Sequence, residues 1–169
     1  TTNTEAHELY LKGIARITER GPALNQAVDY LKQATTLDPS YAAAWAGLSQ
    51  AYELLPWYKL APWQGFLTQA QEAAERALTL DPKLAEAHTA LANVLRDRLD
   101  YANATKEYLT ALELNPGSVE TLNQYAQMLL RMGRIEEGIE KEKVAVGLDP
   151  LAPNPRYMMG LMLGVLHRY

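Results

Sequence analysis

The sequence predicts an all-α fold of tandem helix pairs, and three observations carry that prediction. Of the 169 residues 48% are hydrophobic, a share rich in Ala and Leu with a single Phe; this mix favours close-packed helices over sheets. Four strings resemble one another: TLDPSYAAAW at 36–45, TLDPKLAEAH at 79–88, ELNPGSVETL at 113–122 and GLDPLAPNPR at 147–156. Their prolines, Pro39, Pro82, Pro116 and Pro150, each follow Asp or Asn, and lie 43, 34 and 34 residues apart. A fixed period of this length marks a stacked repeat. Proline just past a helix end removes an N–H that no helical bond needs.

Nine helices are expected in order, at about 4–19, 23–36, 41–55, 63–80, 84–98, 101–114, 118–132, 135–148 and 154–167. Gly21–Pro22 breaks the first from the second, and the proline strings end the second, fourth, sixth and eighth. Asn115-Pro116-Gly117 and Met132-Gly133-Arg134 are turns of the same kind. Five residues before every proline stands alanine: Ala34, Ala77, Ala111 and Ala145. Twelve before stand Ala27, Ala70, Ala104 and Gly138, all small. Eight before stand Leu31, Ala74, Tyr108 and Glu142. Small residues let paired helices touch, and large ones fill the space between repeats. Gly13 in LYLKGIA sits 26 residues before its proline instead of 24, so the first pair carries two extra residues near Gly21–Pro22.

A tetratricopeptide repeat is a helix-turn-helix of about 34 residues with the pattern W-x2-L-G-x2-Y, A-x3-F, P. Trp45, Leu48, Ser49 and Tyr52 reproduce its first part with one Gly-to-Ser change. The chain therefore resembles the tetratricopeptide repeat family over nearly its whole length. The resemblance implies a right-handed α-α superhelix of about four helix pairs plus a final single helix. The repeats would cover 4–40, 41–83 with an insertion at 56–64, 84–117, 118–151 and a partial 152–169, all in one array over 1–169. HELYLKG, LDPSYAAAWAGLSQAYELL and ALTLDPKLAEAHTALA also resemble the C-terminal repeat arrays of bacterial signalling proteins, attached to winged-helix regulators or adenylate cyclases. Neither output domain lies in this sequence. Such an attachment implies the cytoplasm, or the periplasm where the regulator is membrane-anchored.

The nine extra residues between Pro39 and Pro82 form the insertion PWYKLAPW, where Pro56 stops one helix and Pro62 precedes the next. Trp57, Tyr58, Leu60, Trp63 and Phe66 either fold back over neighbouring helix ends or make an aromatic docking point.

Chemistry is expected to be absent. The net charge is −4 and the charges are interspersed, so no basic stripe faces a phosphate backbone and no nucleic acid is expected as partner. There is no cysteine, no apolar run of membrane-spanning length and no apolar leader in the opening TTNTEAHELY. His7, His88 and His167 have no metal-ligand spacing, so neither metal nor other cofactor is expected. No phosphate loop or hydrolase motif occurs, and no catalytic residue is assigned. His88 takes the tryptophan position of its repeat and is expected to pack there. Glu136, Glu137, Glu140 and Glu142 alternate with Lys141 and Lys143 and are expected to form a solvated, salt-bridged face.

The expected role is a non-catalytic interaction module that binds a peptide or protein in the concave groove lined by the first helix of each repeat. The resemblance places Gln50, Glu53, Glu86, Thr89, Asn93, Arg96, Glu120, Asn123, Gln127 and Leu130 on that wall, with Arg131 at its border and His7 and Tyr10 from the first repeat. Asn93, Asn123 and Gln127 form a row of amides suited to a ligand backbone. The lysines of the carboxylate clamp known in some members are missing, and Glu86 and Glu120 stand in the wall instead. The alternative role is a sensor that passes a signal to an attached output domain. The last helix carries Tyr157, Met158, Met159, Leu161, Met162, Leu163, Val165 and Leu166, apolar nearly all round. Either further chain or a second copy, in a homodimer, is expected to cover it.

Overall fold

Helices occupy every expected segment, each within one residue of the boundaries read from sequence. The computed structural model describes residues 3–60 and 62–166, with the backbone alone at Trp63, Gln64 and Pro153. The Trp63 side chain and His167, both singled out above, lie outside the described residues. The order is α1 (Thr4–Glu19), α2 (Ala23–Leu37), α3 (Ala42–Leu54), α4 (Trp63–Leu80), α5 (Ala85–Asp97), α6 (Tyr101–Leu114), α7 (Val119–Arg131), α8 (Ile135–Leu148) and α9 (Pro153–Leu166). A 3-10 turn, Pro56–Tyr58, opens the insertion between α3 and α4. Among the described residues there is no strand. The chain divides into two units, Thr1–Glu107 and Tyr108–Tyr169.

In the first unit α1 pairs with α2 and α3 with α4, while α2 on α3, α4 on α5 and the first helices α1, α3 and α5 join one pair to the next. Ile17, Leu24, Leu31, Leu48, Tyr52, Leu55 and Val94 form the main core. Burying each of these side chains contributes about 1.5–3 kcal/mol. The close approach depends on glycine: a Cβ at Gly13 would stand 2.6 Å from Leu31 Cγ, and one at Gly47 would stand 3.1 Å from Ile14 Cδ1. Two of the turns before first helices, those ahead of α3 and α5, are tied back by a ring N–H. Trp45 Nε1 donates to the Pro39 carbonyl at 3.1 Å, and His88 Nε2 reaches the Pro82 carbonyl at 2.9 Å from the same repeat position. A carbonyl only accepts, so His88 Nε2 carries the proton; its Nδ1 lies 2.7 Å from Glu107 Oε2. The turn after α5 puts Leu99 at φ +65°, where the next repeat, 34 residues on, has Gly133 at φ +75°. Left-handed backbone costs a side-chain-bearing residue about 1–2 kcal/mol that glycine avoids.

In the second unit α7 packs on α8, and α9 packs on both. Ala126, Ile139 and Met162 form one buried cluster in it, with Met158 and Leu166 partly covered. Gly138 admits the Met162 side chain, whose Sδ and Cε would stand 3.1 Å from an added Cβ. Tyr108 stacks on Tyr125 at 5.4 Å, and the Ser118 side chain caps the α7 N-terminus. One expectation is overturned here. Glu136, Glu137 and Glu140 are exposed, with Glu137 paired to Arg134 and Glu140 to Lys143, but Glu142 is 0% exposed. The register explains it: Glu142 stands eight residues before its proline, where Leu31, Ala74 and Tyr108 are also 0% exposed.

Candidate functional site

The polar wall of the first unit turns inward. Its centre is Arg96 of α5, 3% exposed, whose Nη2 donates to Glu53 Oε1 of α3 at 2.8 Å. Arg96 Nε donates to Asp97 Oδ1 at 2.9 Å, and Nη1 to Asn93 Oδ1 at 3.4 Å. The insertion closes over this group: Trp57 Nε1 donates to Asp97 Oδ2 at 3.2 Å. One guanidinium thus faces two carboxyl groups out of solvent. A single positive charge balances one of them, so the other holds a proton. Burial pushes the Glu53 carboxyl up to about 8, against the pull of Arg96 and with the Asp97 charge adding to the rise. Burial acts in the same direction on Asp97, but the Arg96 charge and the hydrogen bonds from Arg96, Glu53 and Trp57 bring it below the ordinary carboxylate range. Glu53 is therefore the proton holder and Asp97 the ionised partner.

The second unit holds a neutral counterpart. Asn123 Nδ2 of α7 donates to Glu142 Oε1 of α8 at 2.8 Å, and Gln127 Nε2 donates to Asn123 Oδ1 at 2.8 Å. Glu142 Oε2 is buried with no hydrogen-bond partner. Burial pushes its carboxyl up to about 7, against the Asn123 hydrogen bond. Leaving an ionised oxygen unsatisfied is costly, and a protonated carboxyl avoids most of that cost.

The residues assigned to the groove thus fall into two groups. Glu53, Thr89, Asn93, Arg96 and Asn123 are buried, and Thr89 donates to the Ala85 carbonyl of its own helix. Glu86, Glu120 and Arg131 are exposed, and Gln50, Gln127 and Leu130 are half-buried. His7 is exposed, with Nδ1 2.8 Å from the Tyr41 hydroxyl, and its ring stacks on Tyr10. Tyr10 lies 5.2 Å from Tyr41 between ring centroids, and burial, aided by the Glu86 charge, raises its hydroxyl above the usual value. In the insertion Phe66 packs on Tyr52 at 5.8 Å, while Trp57 and Tyr58 are 45% and 43% exposed. Packing and display therefore divide the aromatic residues between them. Asp97, Tyr41 and Glu142 belong to these clusters although sequence reasoning did not choose them. Glu142 carried a signal, its register position; Asp97 and Tyr41 carried none. Among the described residues, no group of three or more His, Cys, Asp or Glu is arranged to hold a metal ion. No described helix is long and apolar enough to cross a membrane.

Known proteins share this arrangement of paired helices. A thermophilic tetratricopeptide-repeat protein of Thermus thermophilus superposes with a TM-score of 0.79 at 23% identity, covering 95% of this chain and 82% of that one. The fold is that of the tetratricopeptide repeat. YrrB, a tetratricopeptide-repeat protein with an unusual peptide-binding site, has a TM-score of 0.55 at 22% identity, covering 85% of this chain and 70% of its own. Residues 63–141 match the family of anaphase-promoting complex (cyclosome) subunit 3. A type IV pilus assembly protein (PilF) of Pseudomonas aeruginosa is 33% identical over 78 residues, 46% of this chain but 31% of the pilus protein. The chain thus matches under a third of that relative's length. Glu53 sits on α3, Thr89, Asn93 and Arg96 on α5 and Asn123 on α7, the first helices of their pairs, while Glu142 sits on α8.

Proposed function

We propose that the chain is a non-catalytic protein-interaction module that receives a peptide or protein surface on the first-helix face of its first unit. The observation that carries this is the insertion. Trp57 is fixed by its indole hydrogen bond to a buried carboxylate, yet Trp57 and Tyr58 each leave nearly half their surface in water. Aromatic groups already immobilised give a partner contact area at small entropic cost. Gln50 and Glu86 supply polar groups on the neighbouring helix faces. The peptide-binding site named for YrrB supports the same reading. Peptides selected from a displayed library and measured by calorimetry test it: Tyr58→Ala or Glu86→Ala is expected to weaken them roughly tenfold, about 1.4 kcal/mol, without loss of folding. Recovery of no binder, or of binders indifferent to both changes, would remove the proposal.

We further propose attachment to a signalling output domain, on the strength of the HELYLKG and LDPSYAAAWAGLSQAYELL segments and the insertion that follows them. A full-length gene with neither a winged helix nor a cyclase domain would overturn it. The exposed Tyr157, Leu161 and Leu163 of α9 favour a homodimer through that helix. Light scattering that reads a monomer over a hundredfold concentration range would exclude this contact.

A further inference from the structure

We infer that the turn after α5 and the insertion together form a docking patch for an acidic segment with an apolar anchor. The inference rests on the interaction-module reading and adds the chemistry of the partner. Leu99 is 69% exposed and sits at φ +65°, where the equivalent residue of the next repeat is glycine. A leucine there meets two penalties at once, a disfavoured backbone and apolar surface in water. The fold needs neither, because glycine makes the same turn one repeat later. Two residues before Leu99, Asp97 anchors Trp57, so the insertion is held against the same helix end. Trp57, Tyr58 and Leu60, 45%, 43% and 36% exposed, add aromatic and aliphatic surface.

The rim gives the partner its sign. Lys59 and Arg98 are both exposed, and among the described residues neither is ion-paired; Arg98 donates to the Thr68 hydroxyl at 3.2 Å. Asp100 follows Leu99 but turns its carboxylate to Asn103, so two cations stand against one carboxylate at the rim. The remaining positive charge, on a chain of net charge −4, selects an anionic partner over a cationic one. The occupant is therefore a segment that places a Leu, Phe or Trp on the patch and flanks it with Asp or Glu.

Two short synthetic peptides test this, one alternating Leu, Phe and Trp with Asp and Glu, the other carrying Lys at every acidic position. Binding is followed by the indole N–H resonances, that of Trp57 being assigned through Trp57→Phe. The acidic peptide is expected to shift the Trp57 resonance and to bind at least roughly tenfold tighter than the basic one. Leu99→Gly is expected to weaken it several-fold while the melting temperature holds or rises, which separates lost contact from lost fold. Lys59→Glu with Arg98→Glu is expected to reverse the preference. Equal affinity for both peptides, an unmoved Trp57 resonance, or indifference to Leu99→Gly overturns the inference. Binding weakened by Glu86→Ala but not by Leu99→Gly also overturns it, and leaves the interaction-module reading standing.

Discussion

Glu53 and Arg96, 43 residues apart in sequence, meet at 2.8 Å with 2% and 3% of their surfaces exposed. Such a pair is weak evidence for stability as a whole, but removing Arg96 strands the Asp97 charge in the core and takes the Nη2 donor from the Glu53 carboxyl. Arg96→Ala leaves Glu53 and Asp97 facing each other without a cation. It is expected to cost about 3–5 kcal/mol in a urea unfolding titration. A cost under about 1 kcal/mol would mean that solvent reaches the cluster.

The same cluster sets a pH dependence. The Glu53 carboxyl rises to about 8 in the folded chain, so the folded state holds a proton that the unfolded state has released. Its stabilising contribution is complete below the unfolded carboxylate value and is lost as pH climbs through about 8. Glu142, raised to about 7, acts with the same sign. Unfolding free energy is therefore expected to fall between pH 5 and pH 9 (roughly the span of these shifts), and Glu53→Gln with Glu142→Gln to flatten that slope. An unchanged slope in the double variant would separate the dependence from these two groups.

Asn123 and Gln127 belong to one chain of hydrogen bonds but differ in burial. Asn123→Ala withdraws the one donor to buried Glu142 Oε1 among the described residues and is expected to cost about 1–3 kcal/mol. Gln127→Ala, at a half-buried position, is expected to cost about 0.5–1 kcal/mol. Thermal melts of both variants check the order; equal effects would remove the distinction.

Gly13→Ala and Gly47→Ala place a methyl group against the same leucine. At Gly13 the new atom stands 2.6 Å from the branch carbon of Leu31, a fully buried side chain that cannot swing aside. At Gly47 its nearest neighbour is the flexible Cδ1 of Ile14, 3.1 Å away. Gly13→Ala is expected to cost about 1–3 kcal/mol and Gly47→Ala less, as read from denaturation midpoints.

The helices were legible because the 34-residue register repeats the same packing demand, and Ala27, Ala70 and Ala104 answer it with 0% exposure each. The inner wall was harder to read. Glu53, Asn93, Arg96 and Asn123 are polar, and polarity alone suggests water; their burial comes from partners 43 and 19 residues away that no local pattern joins. An amide row read as offered to a ligand backbone proved, at Asn123, to be bonded within the fold. Glu142 shows the opposite failing. Its neighbours on α8 are charged and exposed, and that local impression outweighed a register position buried in every other repeat.

The two turn ties, from Trp45 to Pro39 and from His88 to Pro82, also bear on which residues can be exchanged between repeats. Either ring supplies the N–H, so a duplicated copy can lose its tryptophan and keep its turn. The histidine also needs somewhere to send its second nitrogen. In its own repeat that place is Glu107; at the matching position of the tryptophan repeat stands Ala73, small enough to leave room for a larger ring. The two repeats thus pair their residues differently, the large ring with alanine and the small ring with glutamate. A chimera that mixes the couples would carry either a crowded helix pair or a histidine deprived of its acid.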